Sequence, residues 1–468
     1  VSRTDGAAGS GRVPHPRTPV NVTSPRTVRK AVFASALGNA TEWYDFGVYS
    51  YLAATIGALF YPEASAGGQL IATFTTFAAA FLIRPIGGLF FGPLGDRIGR
   101  KRVLATTMLM MSLGTAAIGV LPVYESVGIA APVLLLLSRM VQGFSTGGEY
   151  GGATTFIGEY APDRRRGFLG SWLEFGTVCG YVSGASVVTV LTFALTDDQL
   201  ADWGWRIPFL LALPLGLVGL YIRMRLEDTP AFTTSEDTFA EGRRPGPLHQ
   251  LKETFSGHLP AVALCVGLVL VFNVNNYTLT AYMPTYLTEE LGFRSTHGLV
   301  ITLAAMLAML LLVTQMGRLS DRVGRRPVLM SGCVLTIVAA FPAFWLLQQG
   351  VAGAVAGALL LALVLVHFSG VVPSSLPALF PTKVRYGALA ISFNISVSLF
   401  GGTTPLMAEA LVQSTGSLYA PAFLLVVAGL IGAVAVWRLP ESAGRPLPGA
   451  RPSAVDRSEA DRIAAGTP

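Results

Sequence analysis

Glu42 and Asp45 stand three residues apart in a stretch, 31–60, that holds no other charged side chain. On a helix this spacing puts both carboxylates on one face. They fall about 11 to 14 residues into the stretch, about 17–21 Å along it at 1.5 Å per residue. Two carboxylates so close in low dielectric do not both ionise easily, which is what a proton carrier needs. The same pair also fits a structural role, bonded to Asn39 or to a neighbouring helix. Glu149 follows Gly147-Gly148 in 131–160, and Glu174 lies early in 167–195. Glu149 is a candidate for proton coupling or for contact with a bound solute, and Glu174 for relaying a proton or bonding a neighbour. Arg139, ten residues before Glu149, stays charged when buried and requires a carboxylate. Either a bound solute supplies one, or Asp45 or Glu42 does.

Aromatic and amide groups extend the candidate site. Aromatic faces attract ammonium groups, and Trp43 and Tyr44 flank the acidic pair, with Phe46 beyond it. Asn273, Asn275, Asn276 and Tyr277 crowd one apolar stretch, 258–287, which argues for a polar cavity or a locally broken helix. His367 is able to titrate near neutral pH and is read as a site residue against the alternative of a satisfied core histidine. Glu409 bonds a neighbour or relays a proton. A zwitterion suits a site with Arg139 on one side and aromatics or Glu on the other.

The elements that carry these groups follow from composition. Of 468 residues, 52% are hydrophobic and 13% charged, against about 25% charged in soluble domains. Mean hydropathy is +0.56. Residues 327–382 contain no Asp, Glu, Lys or Arg, enough for two crossings at about 20 residues each. A soluble enzyme, a nucleic-acid binder and a disordered chain are excluded. The reading is an all-α membrane protein with twelve spans: 31–60, 68–94, 103–121, 131–160, 167–195, 206–224, 258–287, 297–317, 327–347, 351–380, 387–414 and 418–437. Cys179, Cys265 and Cys333 each lie in an apolar run and read as small core residues.

The connections alternate in charge: 29 of the 33 Lys and Arg residues fall on one side of this layout. The positive-inside rule puts that side in the cytoplasm. Both termini and the loop 227–257 are therefore expected there, in a bacterial inner (plasma) membrane crossed many times. The net charge of +6 is then a topology signal, with no nucleic-acid partner. Residues 1–29 form a disordered cytoplasmic tail with no signal peptide before the first span, and 439–468 a short cytoplasmic tail. The spans divide into six-helix bundles at 30–226 and 258–438. No metal-ligand cluster, phosphate loop, nucleophile–base pair or Walker motif is present, so no enzyme, cofactor or metal is expected. Coupling to an ion gradient remains.

The halves repeat. Gly92-x-x-x-Asp96-Arg97-x-Gly99-Arg100-Lys101 returns 225 residues later as Gly317-x-x-x-Asp321-Arg322-x-Gly324-Arg325-Arg326. This repeated loop resembles the hallmark of the major facilitator superfamily, as does the run from Val141 to Arg166 through Gly143, Gly147 and Glu159. Gly38-Asn39-Ala-Thr-Glu42-Trp43-Tyr44-Asp45-Phe46 and Gln142-Gly143-Phe144-Ser145-Thr-Gly147-Gly148-Glu149-Tyr150 resemble its metabolite:proton symporter family. Gly170–Gly176, Asp202–Phe209, Tyr282–Leu287 and Phe380–Ser396 are similar to the bacterial proline/betaine transporters within it.

The resemblance implies alternating access between two pseudo-symmetric bundles, with the solute site near the bilayer midplane. It implies symport of a small zwitterion such as proline or glycine betaine with a proton, rather than with sodium. The alternative is symport of a carboxylate such as α-ketoglutarate, citrate or shikimate. Arg84, near the cytoplasmic end of span 2, is the one further buried cation that a dianion would need. A non-transporting solute sensor is the alternative of another class. Glu42, Asp45, Glu149 and Glu174 are assigned to proton coupling, and Trp43, Tyr44, Arg139, Asn273, Asn276, Tyr277 and His367 to solute binding. Asp96, Arg97, Arg100, Glu159, Asp321, Arg322 and Arg325 are assigned to gating. The segment after Arg438 has no heptads, unlike the coiled-coil tail of osmosensing members.

Overall fold

In lipid the backbone finds no water, so each crossing must close its hydrogen bonds internally, and apolar runs of this length become helices. The computed structural model describes residues 20–98, 100–147, 149–225, 257–382 and 384–465. Gly99, Gly148, Lys383 and most of the central loop are outside that set, as are the side chains of Asp96, Arg97 and Arg100.

Among the described residues, eight helices are long and apolar enough to cross a membrane: Ala66–Phe91, Asp163–Ala194, Leu259–Glu290, Ser295–Val323, Arg325–Leu347, Gly350–Leu379, Arg385–Thr415 and Ala420–Trp437. They are spans 2, 5 and 7 to 12. Asp197–Gly204 with Arg206–Tyr221, bent by 45°, supplies span 6. The other three expected crossings are helical but interrupted or more polar. Span 1 runs through Pro25–Tyr51 and Ala53–Phe60, span 3 is Arg100–Val120, and span 4 is Ala130–Ser145 followed by Glu149–Tyr160. Span 1 carries Glu42 and Asp45 among its apolar residues, and the helices of span 4 are separated around Thr146. Phe193, Leu311, Val338 and Phe423 are exposed on the outside, where lipid, not water, is the solvent.

Span 1 lies along span 5. Gly176, Gly180 and Gly184 recur every fourth residue on span 5, and a Cβ at the first two would strike the carbonyl oxygens of Ala36 and Ala40. Such small residues let transmembrane backbones close up, and here they fix the helix that bears the acidic pair. Span 5 against span 8 and span 2 against span 11 join the halves.

Both tails are more ordered than their composition suggests. Asn21–Val22 (β1) pairs in parallel with Ser453–Ala454 (β2). Ser24 then caps span 1 by accepting from the Thr27 amide, with Pro25 in the first turn. The expected disorder up to residue 29 is therefore corrected for residues 20–29. The C-terminal segment straps both halves together. The Ser453 amide donates to Asp163 (3.0 Å) and Arg166 donates to the Arg445 carbonyl (2.9 Å) on the first half. On the second, Arg385 and the Thr382 amide donate to the Pro448 carbonyl (2.8 and 3.1 Å). These bonds are made by backbone groups that hydropathy does not weigh.

Glu441 anchors the strap to the start of span 9, accepting from the amides of Arg325 (3.0 Å), Arg326 (3.1 Å), Ser442 (2.9 Å) and Ala443 (2.8 Å). Burial pushes this carboxyl up, but the four amides outweigh it and hold it below the ordinary glutamate range. A depressed folded value means the anchor is fully present above the unfolded value and lost as pH falls through the folded one. Hydrogen exchange at the Ser442 and Ala443 amides, corrected for intrinsic rates, should lose protection only below pH about 4.3, the ordinary glutamate value. E441Q should show weaker protection already at neutral pH. Unchanged protection in E441Q would remove the anchor role.

Candidate functional site between the halves

The acidic pair of span 1 is buried, Glu42 at 1% and Asp45 at 2% exposure, and each carboxylate has its own partner. Glu42 forms an ion pair with Arg84 of span 2, itself 1% exposed. Arg84 thus turns inward to pair with span 1. Its guanidinium lies 4.6 Å from the Phe81 ring, 4.8 Å from Phe46 and 5.6 Å from Trp43. Asp45 instead accepts from the Thr115 hydroxyl of span 3 at 2.8 Å.

Arg139 is fully buried and faces the rings of Tyr49 (4.1 Å), Phe46 (5.1 Å) and Phe77 (5.3 Å). It donates to Gln142, which donates to Thr115 at 3.0 Å. Arg139, Gln142, Thr115 and Asp45 therefore form one chain across spans 4, 3 and 1. Arg139 forms no ion pair among the described residues, and its Nε and Nη2 have no hydrogen-bond partner.

Trp43 is held by its indole N–H, which donates to Asn39 at 3.1 Å. Asn39 in turn donates to the Leu173 carbonyl at 3.1 Å and to Thr177 on span 5. The indole faces Tyr181 (5.5 Å) and Tyr277 (6.0 Å), and Tyr277 meets Phe81 at 5.4 Å. Tyr44, one residue on, points elsewhere and donates to the Pro208 carbonyl of span 6 at 2.9 Å.

Span 7 widens into a π-helical turn at Thr278–Tyr282, directly after its asparagines. Asn273 and Tyr277 both approach Gly401 of span 11. The Asn273 Nδ2 and the Tyr277 hydroxyl are buried without a hydrogen-bond partner. Asn276 is buried beside them in sequence, and Asn275 donates to its own helix at Val271 (2.8 Å).

Glu174 accepts from the Tyr150 hydroxyl at 2.6 Å. Tyr150 stacks on Phe393 of the other half, 3.9 Å between centroids and 7° between planes. Glu149 opens the second helix of span 4 and is half-buried. His367 bonds its own helix at the Leu363 carbonyl (2.8 Å) and packs on Gly332 of span 9. Glu409 accepts from Tyr282 (3.1 Å) and Gln413 (3.0 Å).

At one end of the bundle, contacts join the halves. Arg385 donates to Glu159 at 2.7 Å. Asp321 accepts from the amides of Gly167 (2.7 Å) and Phe168 (2.8 Å) at the start of span 5, where a carboxylate meets the positive helix end. Arg325 is buried and donates to the Ser374 carbonyl at 2.9 Å, while Arg322 is exposed. At the opposite end Tyr51 meets Met306 and Phe74 meets Tyr282 across the same boundary. With contacts on both sides, the central groups are closed off.

Phe77, Phe81, Tyr181, Thr115 and Gln142 complete the centre, and sequence reasoning did not assign them a role. The every-fourth-residue glycines around Tyr181 mark a close helix seam and are the signal that singles it out.

Twelve helices in two halves around a buried, charge-bearing centre define a membrane transporter of the alternating-access type. The chain belongs to the major facilitator superfamily: that family's sequence model, Major Facilitator Superfamily, matches residues 33–384. It is 48% identical over 449 residues to the "Glycine betaine/proline/ectoine/pipecolic acid transporter OusA" of Dickeya dadantii, covering 95% of this chain and 89% of the relative. It is also 48% identical to the "Proline/betaine transporter" of Escherichia coli K12, covering 95% and 90%. The "Ectoine/proline transporter ProP" of Corynebacterium glutamicum is 43% identical over 95% of this chain and 90% of its own. Among solved structures, the proton:xylose symporter XylE superposes with a TM-score of 0.70 at 20% identity, over 90% of this chain and 97% of that one, which is a likeness of fold. The protein is a multi-pass membrane transporter and not an enzyme.

Proposed function

We propose that this protein is a proton-coupled symporter that imports a small zwitterionic compatible solute of the proline and glycine betaine class. It does so across the bacterial inner membrane, with both termini in the cytoplasm. Bundles 30–226 and 258–438 alternate around the centre, opening it to one side at a time. The observation that carries the reading is Asp45, a carboxyl 2% exposed with a hydroxyl partner and no ion pair among the described residues. Such a group binds and releases a proton at far less cost than one locked in a salt bridge. The names of relatives at 43–48% identity support the solute class. The Glu42–Arg84 pair leaves its part of the centre neutral, which suits a net-neutral solute better than a dianion.

Uptake into proteoliposomes of labelled proline, glycine betaine, α-ketoglutarate and shikimate, with and without an imposed pH gradient, tests this. Proline or betaine should accumulate and the accumulation should collapse with a protonophore. Uptake that survives the protonophore, or uptake of the carboxylates alone, overturns the reading.

A further inference from the structure

A buried ion pair wrapped in aromatic rings is an unusual thing to place where a solute must pass. Glu42 and Arg84 bond each other while three rings, Trp43, Phe46 and Phe81, lie within 6 Å of the guanidinium. Aromatic faces bind cations by the same electrostatics whether the cation is a guanidinium or an alkylammonium. Around the pair, Arg84 Nε, Asn273 Nδ2 and the Tyr277 hydroxyl are buried donors without partners. Native proteins rarely leave such groups unsatisfied, and those that persist call for an explanation. A carboxylate would satisfy several at once.

We propose that the Glu42–Arg84 pair is an internal stand-in for the transported zwitterion: the solute separates the pair, its ammonium taking Glu42 and the rings and its carboxylate taking Arg84 and the unpartnered donors. This deepens the proposed function and rests on it. Charge bookkeeping gives the selectivity. Inserting a zwitterion trades one buried neutral pair for two, with no net charge added. A solute with only one charge splits the pair and leaves one partner uncompensated in low dielectric, where an unpaired charge is strongly disfavoured. The empty site heals by re-forming the pair, so the closed, solute-free protein stays neutral inside while it reorients.

The test is equilibrium binding to purified protein in nanodiscs, with glycine betaine, choline (cation without carboxylate) and 3,3-dimethylbutanoate (its carbon isostere, carboxylate without cation). Wild type should bind betaine and bind neither single ion. R84Q should lose betaine at least 30-fold and gain choline, because Glu42 and the rings remain. E42Q should lose betaine similarly and gain 3,3-dimethylbutanoate. Should either single variant aggregate for want of its partner charge, the double variant E42Q/R84Q carries no unpaired charge. It should fold, as size-exclusion shows, and bind none of the three at wild-type strength. Wild-type betaine affinity in the double variant, or singles that weaken without switching ions, overturns the stand-in. A wild-type protein that binds neither betaine nor proline overturns the solute class instead.

Discussion

Asp45→Asn should abolish accumulation while sparing exchange. Asparagine keeps the shape and the Thr115 hydroxyl within reach but carries no exchangeable charge, so it mimics the carboxyl with its proton on. One proton moved with a neutral solute supports about 50-fold accumulation at 100 mV, from about 2.3 kcal/mol per charge. In D45N that ratio should fall to about one, since nothing links the solute to the gradient. Counterflow of labelled against unlabelled solute needs no net proton movement and should persist near the wild-type rate. Proteoliposome accumulation and counterflow, measured on the same preparation, separate the two. Accumulation retained in D45N would shift the proton to Glu174, which bonds Tyr150 at the inter-half stack with Phe393. Counterflow lost as well would make Asp45 a structural partner of Thr115.

The division of labour within the acidic pair shows what the sequence does and does not carry. That Glu42 and Asp45 are buried on one helix follows from their spacing and the apolar run around them. That one is ion-paired and the other is not depends on spans 2 and 3, which pack across span 1 with partners 42 and 70 residues away. Arg84 illustrates the limit. Its place in the run assigns it to a span end, yet a guanidinium on a long arm reaches several ångströms from its backbone, and the Glu42 carboxylate with the rings of Trp43, Phe46 and Phe81 fix where it stops. Trp43 and Tyr44 are adjacent, but consecutive helical residues point about 100° apart, so one enters the site and the other anchors span 6. His367 bonds the Leu363 carbonyl of its own helix and packs on Gly332 of span 9. The second copy of the repeated loop motif brings Asp321 to the start of span 5. The C-terminal tail was opaque, because its own backbone amides and carbonyls take up side chains far away in sequence, which composition does not show.

Gly180→Leu should cost the protein its function outright, and Gly180→Ala most of it. Span 1 holds its carboxylates in place only because span 5 lies against its backbone. At Gly180 an added Cβ overlaps the Ala40 carbonyl oxygen and comes within 2.9 Å of the Tyr44 amide nitrogen. Neither is a flexible side-chain end, so the two helices must separate by the size of a methyl group or more. Overpacking of this kind costs typically about 1–3 kcal/mol for a methylene that side chains can yield to, and rigid backbone yields less. The displacement also moves Trp43, whose indole is tied through Asn39 to Thr177 on the helix being pushed away. Binding and transport should therefore fall further than thermal stability, with G180A unfolding on the order of 5 °C lower in a melting experiment yet binding solute at least tenfold more weakly. Gly152→Ala is the control, because a Cβ there meets Tyr386 at 3.4 Å, an ordinary contact, and should change neither. A G180A protein with wild-type melting and wild-type affinity would mean that span 1 is placed by its contacts to spans 2 and 3 instead. The ion pair and the Thr115 bond, rather than the glycine seam, would then be what holds the site together.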